Sequence, residues 1–588
     1  MGLATGALAL PCAAAADPPL VRLSGPTPFP SGCAGVTSQP TRDAEGEPHL
    51  AVDPRDPEHL VATWQQDRFQ VYGGALSNLV AVSHDAGATW TPRTVARVSR
   101  CTGGADERTS DPWLAFGPDG SLLLASLTFN NDASGQLSEV SGEELAGATA
   151  LQTSRSADGG ATFAPPVRVI DQGLYDDREA LAFDSTRPGR AYTAWVRRYG
   201  ALGESGLEML ATSTDGGRTW GGQRPIYVPA TGFFTDPTLL LPLPDGSLLN
   251  VFFLDNGSFA LPEPTPTVPW DVMAMRSTDG GVTWGNAVRV ATVQPWAPRD
   301  PDSGADVRAI PLISLAAAAD GTVYVAYNER PGRRVYDQGF VRVARSTDGG
   351  ASWGAPVTVA QVRGQTFLPA LAVAGDGTVG VLWDDTRNDR PGDNQFTGDV
   401  WLARSGDRGA TWREEHVAGP FDLLTGPRSG SAGIGGIFVG DYQAMVGLSD
   451  GFGAIFAAPK PMAATGPSDV FFARLTTTPA GGRAAAPRIG LAVRPSTGRV
   501  GRLTRFRFTA TAPGADGRRH VVARATIRLG RNRARTDRNG HATIATRFLA
   551  AGRKRAYASK PGYRGGTTTL RIARPTQPAV PRRQRLTG

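Results

Sequence analysis

The 588-residue chain has only three cysteines and six histidines, and its apolar residues never run uninterrupted for the ~18 positions a membrane helix needs. Few cysteines exclude a scaffold stapled by many disulfides. Four of the histidines, His49, His59, His84 and His416, are scattered without metal-ligand spacing, so a zinc site or a Ser-His-Asp arrangement is poorly supplied and no metal is expected. GIGGIF at Gly433 lacks the strand-then-helix setting of a phosphate loop. Short apolar runs punctuated by Gly (73) and Pro (46) are what remains, a composition of β turns and strands.

Charge is segregated along the chain. From Arg483 onward there are 26 Lys and Arg against only Asp516 and Asp537, whereas the preceding part has 35 basic and 52 acidic residues. A boundary near 483 follows. The first residues, MGLATGALALPCAAAAD, combine an apolar run with an Ala-x-Ala-like site before Asp17, so residues 1–16 are expected to be a partial signal peptide and the protein to be secreted. Cys12 would leave with that segment, and Cys33 with Cys101 is predicted to form a disulfide.

An octapeptide recurs six times: SHDAGATW at Ser83, SADGGATF at Ser156, STDGGRTW at Ser213, STDGGVTW at Ser277, STDGGASW at Ser346 and SGDRGATW at Ser405. Around each copy lies one frame: an apolar first strand, a Gly turn, an apolar second strand, a loop, a third strand running into the octapeptide, and a fourth strand. First strands open with EPHLAV, DPWLAF, REALAF, DPTLLL, IPLISL, LPALAV and DYQAMV, one more than the octapeptides. The seventh unit stops after DVFFARL, and PPLVRL at Pro18 resembles the fourth strand it lacks. The fold expected is all-β: a β-propeller of four-stranded blades, seven predicted with six as the alternative, over residues 17–478. The octapeptide is a braced turn in which the Asp accepts backbone N–H groups and Gly takes a positive φ, which makes Asp85, Asp158, Asp215, Asp279, Asp348 and Asp407 structural.

Antiparallel pairing puts first-strand entrances and second-strand exits on one rim and the octapeptides at the other. The entrances contribute Glu47, Asp111, Arg178 with Glu179, Asp236, and Asp441 with Tyr442. The exits contribute Arg68, Glu329 with Arg330, and Asp385 with Arg387, among others. A shared polar pocket at that rim is expected.

The octapeptide resembles the Asp box of sialidases. With WDDTRND, FVGDYQAMV and GPFDLLTGPRSG, the chain is similar over roughly 44–475 to secreted bacterial BNR/Asp-box proteins of the exo-α-sialidase superfamily. The resemblance implies a mouth that binds or hydrolyses a terminal sialic-acid-like sugar. Tyr442 would be the nucleophile, Glu329 its partner base and Asp111 the acid. Arg387, Arg68, Arg330, Arg178 and Asp385 would line the substrate site. Two features depart from the family: Gly46-Glu47-Pro48 stands where Arg-Ile-Pro opens the first blade, and the loop at 69–78 has no carboxylate. RAIP at Arg308 is similar in letters but lies in the fifth unit. The alternative is a non-catalytic adhesin or scaffold that presents its loops to a glycan or protein.

No cofactor is expected, although DDTRNDRPGDNQFTGD from Asp384 to Asp399 is rich in oxygen ligands that suit Ca2+. After a linker at 479–487, alternating segments over 488–574 resemble an Ig-like β-sandwich. Its arginines suit an anionic wall polymer or polysaccharide. Residues 575–588 read as a disordered basic tail.

Overall fold

The computed structural model describes residues 17–35, 39–71, 73–130, 149–170, 175–199, 205–255, 269–294, 296–308, 312–330, 338–429, 436–476, 489–513, 519–560, 563 and 565–574. The expected signal segment 1–16, linker 479–487 and tail 575–588 lie outside them. The chain divides into two compact units, Met1–Thr477 and Thr478–Gly588. Both are all-β, and the described helices are two short 3-10 turns, Arg100–Thr102 and Leu423–Thr425. Among the described residues no helix is long and apolar enough to cross a membrane.

The first unit is a series of antiparallel meanders. Four separate four-stranded sheets begin at Tyr175–Phe183, Phe234–Pro242, Ile313–Ala317 and Thr366–Val373. An eight-stranded sheet precedes them, and it is two such meanders, starting at Gly46–Asp53 and Arg108–Phe116, joined by a single pair, Ala75 with Thr109. A last sheet starts at Ala444–Leu448 and takes its outer strand from the chain's beginning, with Leu20 opposite Ala473 and Arg22 opposite Phe471. The strand within PPLVRL therefore pairs where the repeat frame left a gap.

First strands of successive sheets pack on one another in chain order, and the strand at Ala444–Leu448 returns to pack on Gly46–Asp53, closing a cycle. This is consistent with a β-propeller. The core lies in wedges between neighbouring sheets: Tyr324, Ala326 and Val343 of one pack against Leu371, Val381 and Trp383 of the next. Because both faces of a sheet are covered, its second strands read as continuous apolar runs; Val379–Asp385 is buried throughout.

The octapeptides cement the wedges. In the first, Asp85 Oδ1 accepts from Thr89 N at 2.9 Å and Oδ2 from Thr89 Oγ1 at 2.7 Å, while Ser83 Oγ accepts from Gly87 N at 2.9 Å. The same bonds recur at Asp158, Asp215, Asp279, Asp348 and Asp407. The fifth residue must be Gly for two reasons. It adopts a positive φ, 82° at Gly217, and a Cβ there would stand 2.5 Å from Leu123 of the preceding sheet. At Gly87 the obstacle is Phe472 of the last sheet, so the first octapeptide also closes the cycle. Cys33 and Cys101 form the predicted disulfide, with Cα atoms 4.9 Å apart.

The second unit has two sheets. One holds Gly490–Arg494, Thr504–Pro513, Arg519–Val521 and His541–Thr546; the other holds Thr497–Arg499, Thr526–Leu529, Asn532–Arg535, Gly552–Ser559 and Gly566–Ala573. Phe506, Phe508 and Ile544 of the first meet Ile527, Leu570 and Ile572 of the second in one core. HVVARATIRL reads as one segment but forms two strands, because Arg524 turns into the left-handed region at φ 58° and Thr536 Oγ1 takes the broken ladder's Val522 O and Ala525 N.

Candidate functional site

At five of the seven first strands the entrance carries a bulge. Register shifts fall between Gly46 and His49, Ser110 and Trp113, Asp177 and Ala180, Thr235 and Thr238, and Phe367 and Ala370. The local cause is proline in four of them: Pro48, Pro112, Pro237 and Pro369 have no N–H for the ladder, so pairing skips there. The preceding residue is thrown out of the sheet, and Glu47, Asp111 and Leu368 adopt φ of 51°, 45° and 51°; Arg178, without a following proline, adopts 60°. Bulges re-aim side chains, and left-handed non-glycine residues concentrate at functional sites. Here they turn Glu47, Asp111 and Arg178 toward a common centre.

The seventh entrance delivers Asp441 and Tyr442. Gly440 lets this segment pass the first, since a Cβ on it would lie 2.8 Å from Glu47 N. Asp441 Oδ2 accepts from Arg178 Nη1 at 2.8 Å and from Arg308 Nη2 at 3.1 Å. Arg68, its guanidinium 3.5 Å from the centre of the Phe438 ring, adds its charge to the same group. Gln65 Nε2 donates to Glu47 and to Ser110 Oγ, and Ser110 Oγ donates to Asp111 Oδ1 at 2.6 Å. Tyr442 donates its hydroxyl proton to Pro112 O at 3.1 Å and stands edge-on to Trp113. A cavity of about 160 Å³ opens beside these groups; His49, Asp111, Trp113, Arg178, Glu179 and Tyr442 form its polar part, and Leu240, Ile313 and Leu371 belong to its apolar wall.

Burial dominates the electrostatics. It raises Glu179 well above the usual carboxyl value, with the Asp111 charge adding to it, and neither Glu179 oxygen has a hydrogen-bond partner among the described residues. Glu47 is likewise raised, by burial and then by Asp111 and Asp441. Burial and the Asp177 charge push Asp111 up to about 6. Tyr442 is held well above its ordinary value by burial, then by Glu47, Asp111, Glu179 and Asp441. Burial also works against the charge on Asp441, yet Arg178, Arg308 and Arg68 hold it below the usual carboxylate value. Buried acids are thus pushed upward beside a phenol in one cleft, which makes this cleft the candidate site.

Of the residues singled out in the sequence, Tyr442, Asp111, Arg178 and Arg68 come together. Glu329, Arg330, Arg387 and Asp385 neither line this cavity nor figure among the charges acting on Tyr442. Glu329 accepts from Arg342 Nε at 2.7 Å, and Arg330 lies over Trp296. Arg387 grips Asp385 with Nε and Nη2 at 2.9 and 2.7 Å, pairs with Glu414 and lies 3.8 Å from the centre of the Trp401 ring. Glu329 and Arg387 stand at or just past the exits of second strands, where residues of the third and fourth strands of their own sheets pair with them. Glu47, Glu179 and Asp441 are the carboxyl groups that act on Tyr442 together with Asp111, and Arg308 bonds Asp441.

In the Asp384–Asp399 segment, Asp389 accepts from Thr397 N, Asp399 from Asn388 and His416, and Asp393 from Gln395 N. No group of three or more His, Cys, Asp or Glu that could hold a metal ion occurs among the described residues.

Six braced octapeptides, cyclically packed meanders and this mouth define a BNR-repeat protein. Residues 58–381 match the BNR repeat-like domain, and the chain belongs to that sialidase-like family. It is 27% identical over 287 residues to a sialidase of Micromonospora viridifaciens, a match covering 38% of this chain and 43% of that curated relative, so the chain spans less than half of the relative's length. Among solved structures it is similar to the Hadza microbial sialidase Hz136, with TM-score 0.41 and 16% identity over 72% of this chain and 75% of the other. It is also similar to a mutant NanB sialidase of Streptococcus pneumoniae, with TM-score 0.37 and 13% identity over 77% and 70%.

Proposed function

We propose that the first unit is a seven-bladed propeller whose mouth, centred on Tyr442, hydrolyses terminal glycosidic bonds of glycans. The observation that carries this reading is the convergence of Tyr442, Asp111, Glu179 and Arg178 on one cavity from three different strand entrances, with the charges of Glu47, Arg68 and Arg308 close by. Tyr442 attacks the anomeric carbon as its phenolic proton passes to Glu179, the buried carboxylate whose oxygens await a donor. Asp111, poised to be protonated near pH 6, gives its proton to the departing glycosidic oxygen and then takes one from the water that releases the sugar. Each turnover consumes one water and returns both acids to their starting states. The family match and the sialidase name of the relative support this chemical class.

A panel of 4-methylumbelliferyl glycosides, the sialoside included, tests the reading against Tyr442→Phe. Turnover by the wild type and its loss in the variant is the expected result. A wild type no faster than the variant on every substrate leaves the non-catalytic glycan-binding or protein-binding scaffold. The disulfide favours an oxidising, exported setting, which appearance of the processed protein in culture medium checks.

For the second unit we infer an Ig-like sandwich that tethers the protein to an anionic wall polymer or polysaccharide. On its five-stranded sheet Arg553 stands directly opposite Arg571, and Arg528 opposite Arg533. Like charges directly opposed weaken a sheet, and a polyanion laid across them removes that cost. Retention on heparin and teichoic-acid resins, with and without residues 478–588, checks it; equal and salt-insensitive retention removes the tether.

A further inference from the structure

The molecule supplies its own carboxylate to the arginines at its mouth. Asp441, 2% exposed, is bonded by Arg178 and Arg308 and flanked by Arg68. Arg198 is taken by Asp236, which also faces Arg178. With Asp177 nearby, three carboxylates face these four guanidiniums before the raised acids Asp111, Glu47 and Glu179 are added. An incoming carboxylate finds the forks already engaged and like charge around it, which disfavours it strongly.

The buried groups left over point the same way. Both oxygens of Glu179 and Oδ1 of Asp441 lack hydrogen-bond partners among the described residues, as does Nε of Arg68. Ionised carboxylates only accept, guanidiniums only donate, and a hydroxyl does both. A sugar carrying several hydroxyls therefore answers all of these groups, while an acid sugar's carboxylate answers only the donors. Trp113, half-buried in the wall of the same cavity, offers an apolar surface to the C–H face of a pyranose.

We infer that this mouth is built for a neutral terminal sugar, because Asp441 already occupies the place between the arginines that the carboxylate of an acid sugar would take. The inference rests on the glycan reading above and deepens it by excluding sialic and uronic acids as preferred substrates.

Matched pairs that differ only in the carboxylate test it: 4-methylumbelliferyl β-glucoside against β-glucuronide, and the sialoside against its methyl ester. Activity is read as kcat/KM, and binding of the corresponding methyl glycosides by saturation-transfer NMR. In the pairs the wild type engages, the neutral member is expected to be preferred by about tenfold or more. Equal treatment, or preference for the acid, overturns the inference while leaving the glycan reading intact. Asp441→Asn, which unlocks the arginines, is expected to swing the preference about tenfold toward the acid; a folded variant with an unchanged ratio overturns it as well. The wild-type comparison decides alone if the variant does not fold. Absence of any binding or turnover by the wild type removes the glycan reading itself, and this inference with it.

Discussion

The two ends of the first unit use the same residue type for opposite ends. At the octapeptides, Asp279 and Asp407 are exposed, and hydrogen bonds from Thr283 and Thr411 hold them far below the usual carboxylate value; Asp215 lies at about 2. At the mouth, burial lifts Asp111 to about 6 and raises Glu179 as well. Every octapeptide Asp has its donors within its own turn, from the Ser two residues before it to the Thr or Ser four residues after, so the turn satisfies itself and can be copied. Mouth acids differ from one another: Asp441 draws its donors from Arg178 and Arg308, far away in the chain, while Glu179 has none among the described residues. Repetition marks what holds the molecule, and divergence marks what it does.

Removing the disulfide tests whether the mouth end needs outside support. The bridge spans 68 positions, so Cys33→Ser should cost about 4 kcal/mol by denaturant unfolding; a loss under 1 kcal/mol would mean the ion pairs hold that end unaided. Glu179→Gln should slow turnover about 100-fold while leaving the melting temperature unchanged or higher, since it removes a buried, unpartnered acid. At the other end Gly217→Ala forces a Cβ into Leu123 at φ 82° and should cost about 2 kcal/mol without changing KM. Asp215→Ala, which unties four donors, should cost about 1 kcal/mol and also spare activity. Either floor variant lowering turnover at constant folded fraction would erase the division.

pH separates the two ends too. Asp215 is depressed, so its stabilisation is complete above the ordinary carboxylate range near 4 and is lost as pH falls toward 2. Asp111 is raised and acts protonated, so the rate should fall as pH climbs through about 6 while the fold persists. Asp111→Asn should abolish that limb of the profile.

The repeating frame was legible because each unit carries its own signals: a turn whose Gly, Asp and Thr bond within four residues, flanked by apolar runs. The missing strand at Leu20–Arg22 was legible by analogy with its copies. Strand entrances were legible as the source of Glu47, Asp111, Arg178, Glu179 and Asp441, since antiparallel order fixes which ends share a rim. Whether a charge is satisfied inside its own sheet is not written in the order of residues, so the pairing of Glu329 with Arg342 and of Arg387 with Asp385 could not be read there. Arg308 was recognisable as RAIP but set aside for lying in the fifth unit; its bond to Asp441, 133 positions away, exists only once the cycle closes.

The seam at Leu20–Arg22 has a consequence for biogenesis. Its partners, Phe471 to Ala473, are among the last residues of the first unit to leave the ribosome, so the earliest strand must wait for the latest. Loop-closure entropy grows slowly with length, and the delay is therefore one of time more than of energy. A nascent chain halted short of residue 470 would carry an open edge that invites strand exchange with a neighbouring copy, which makes premature termination more hazardous here than a comparable truncation within the second unit.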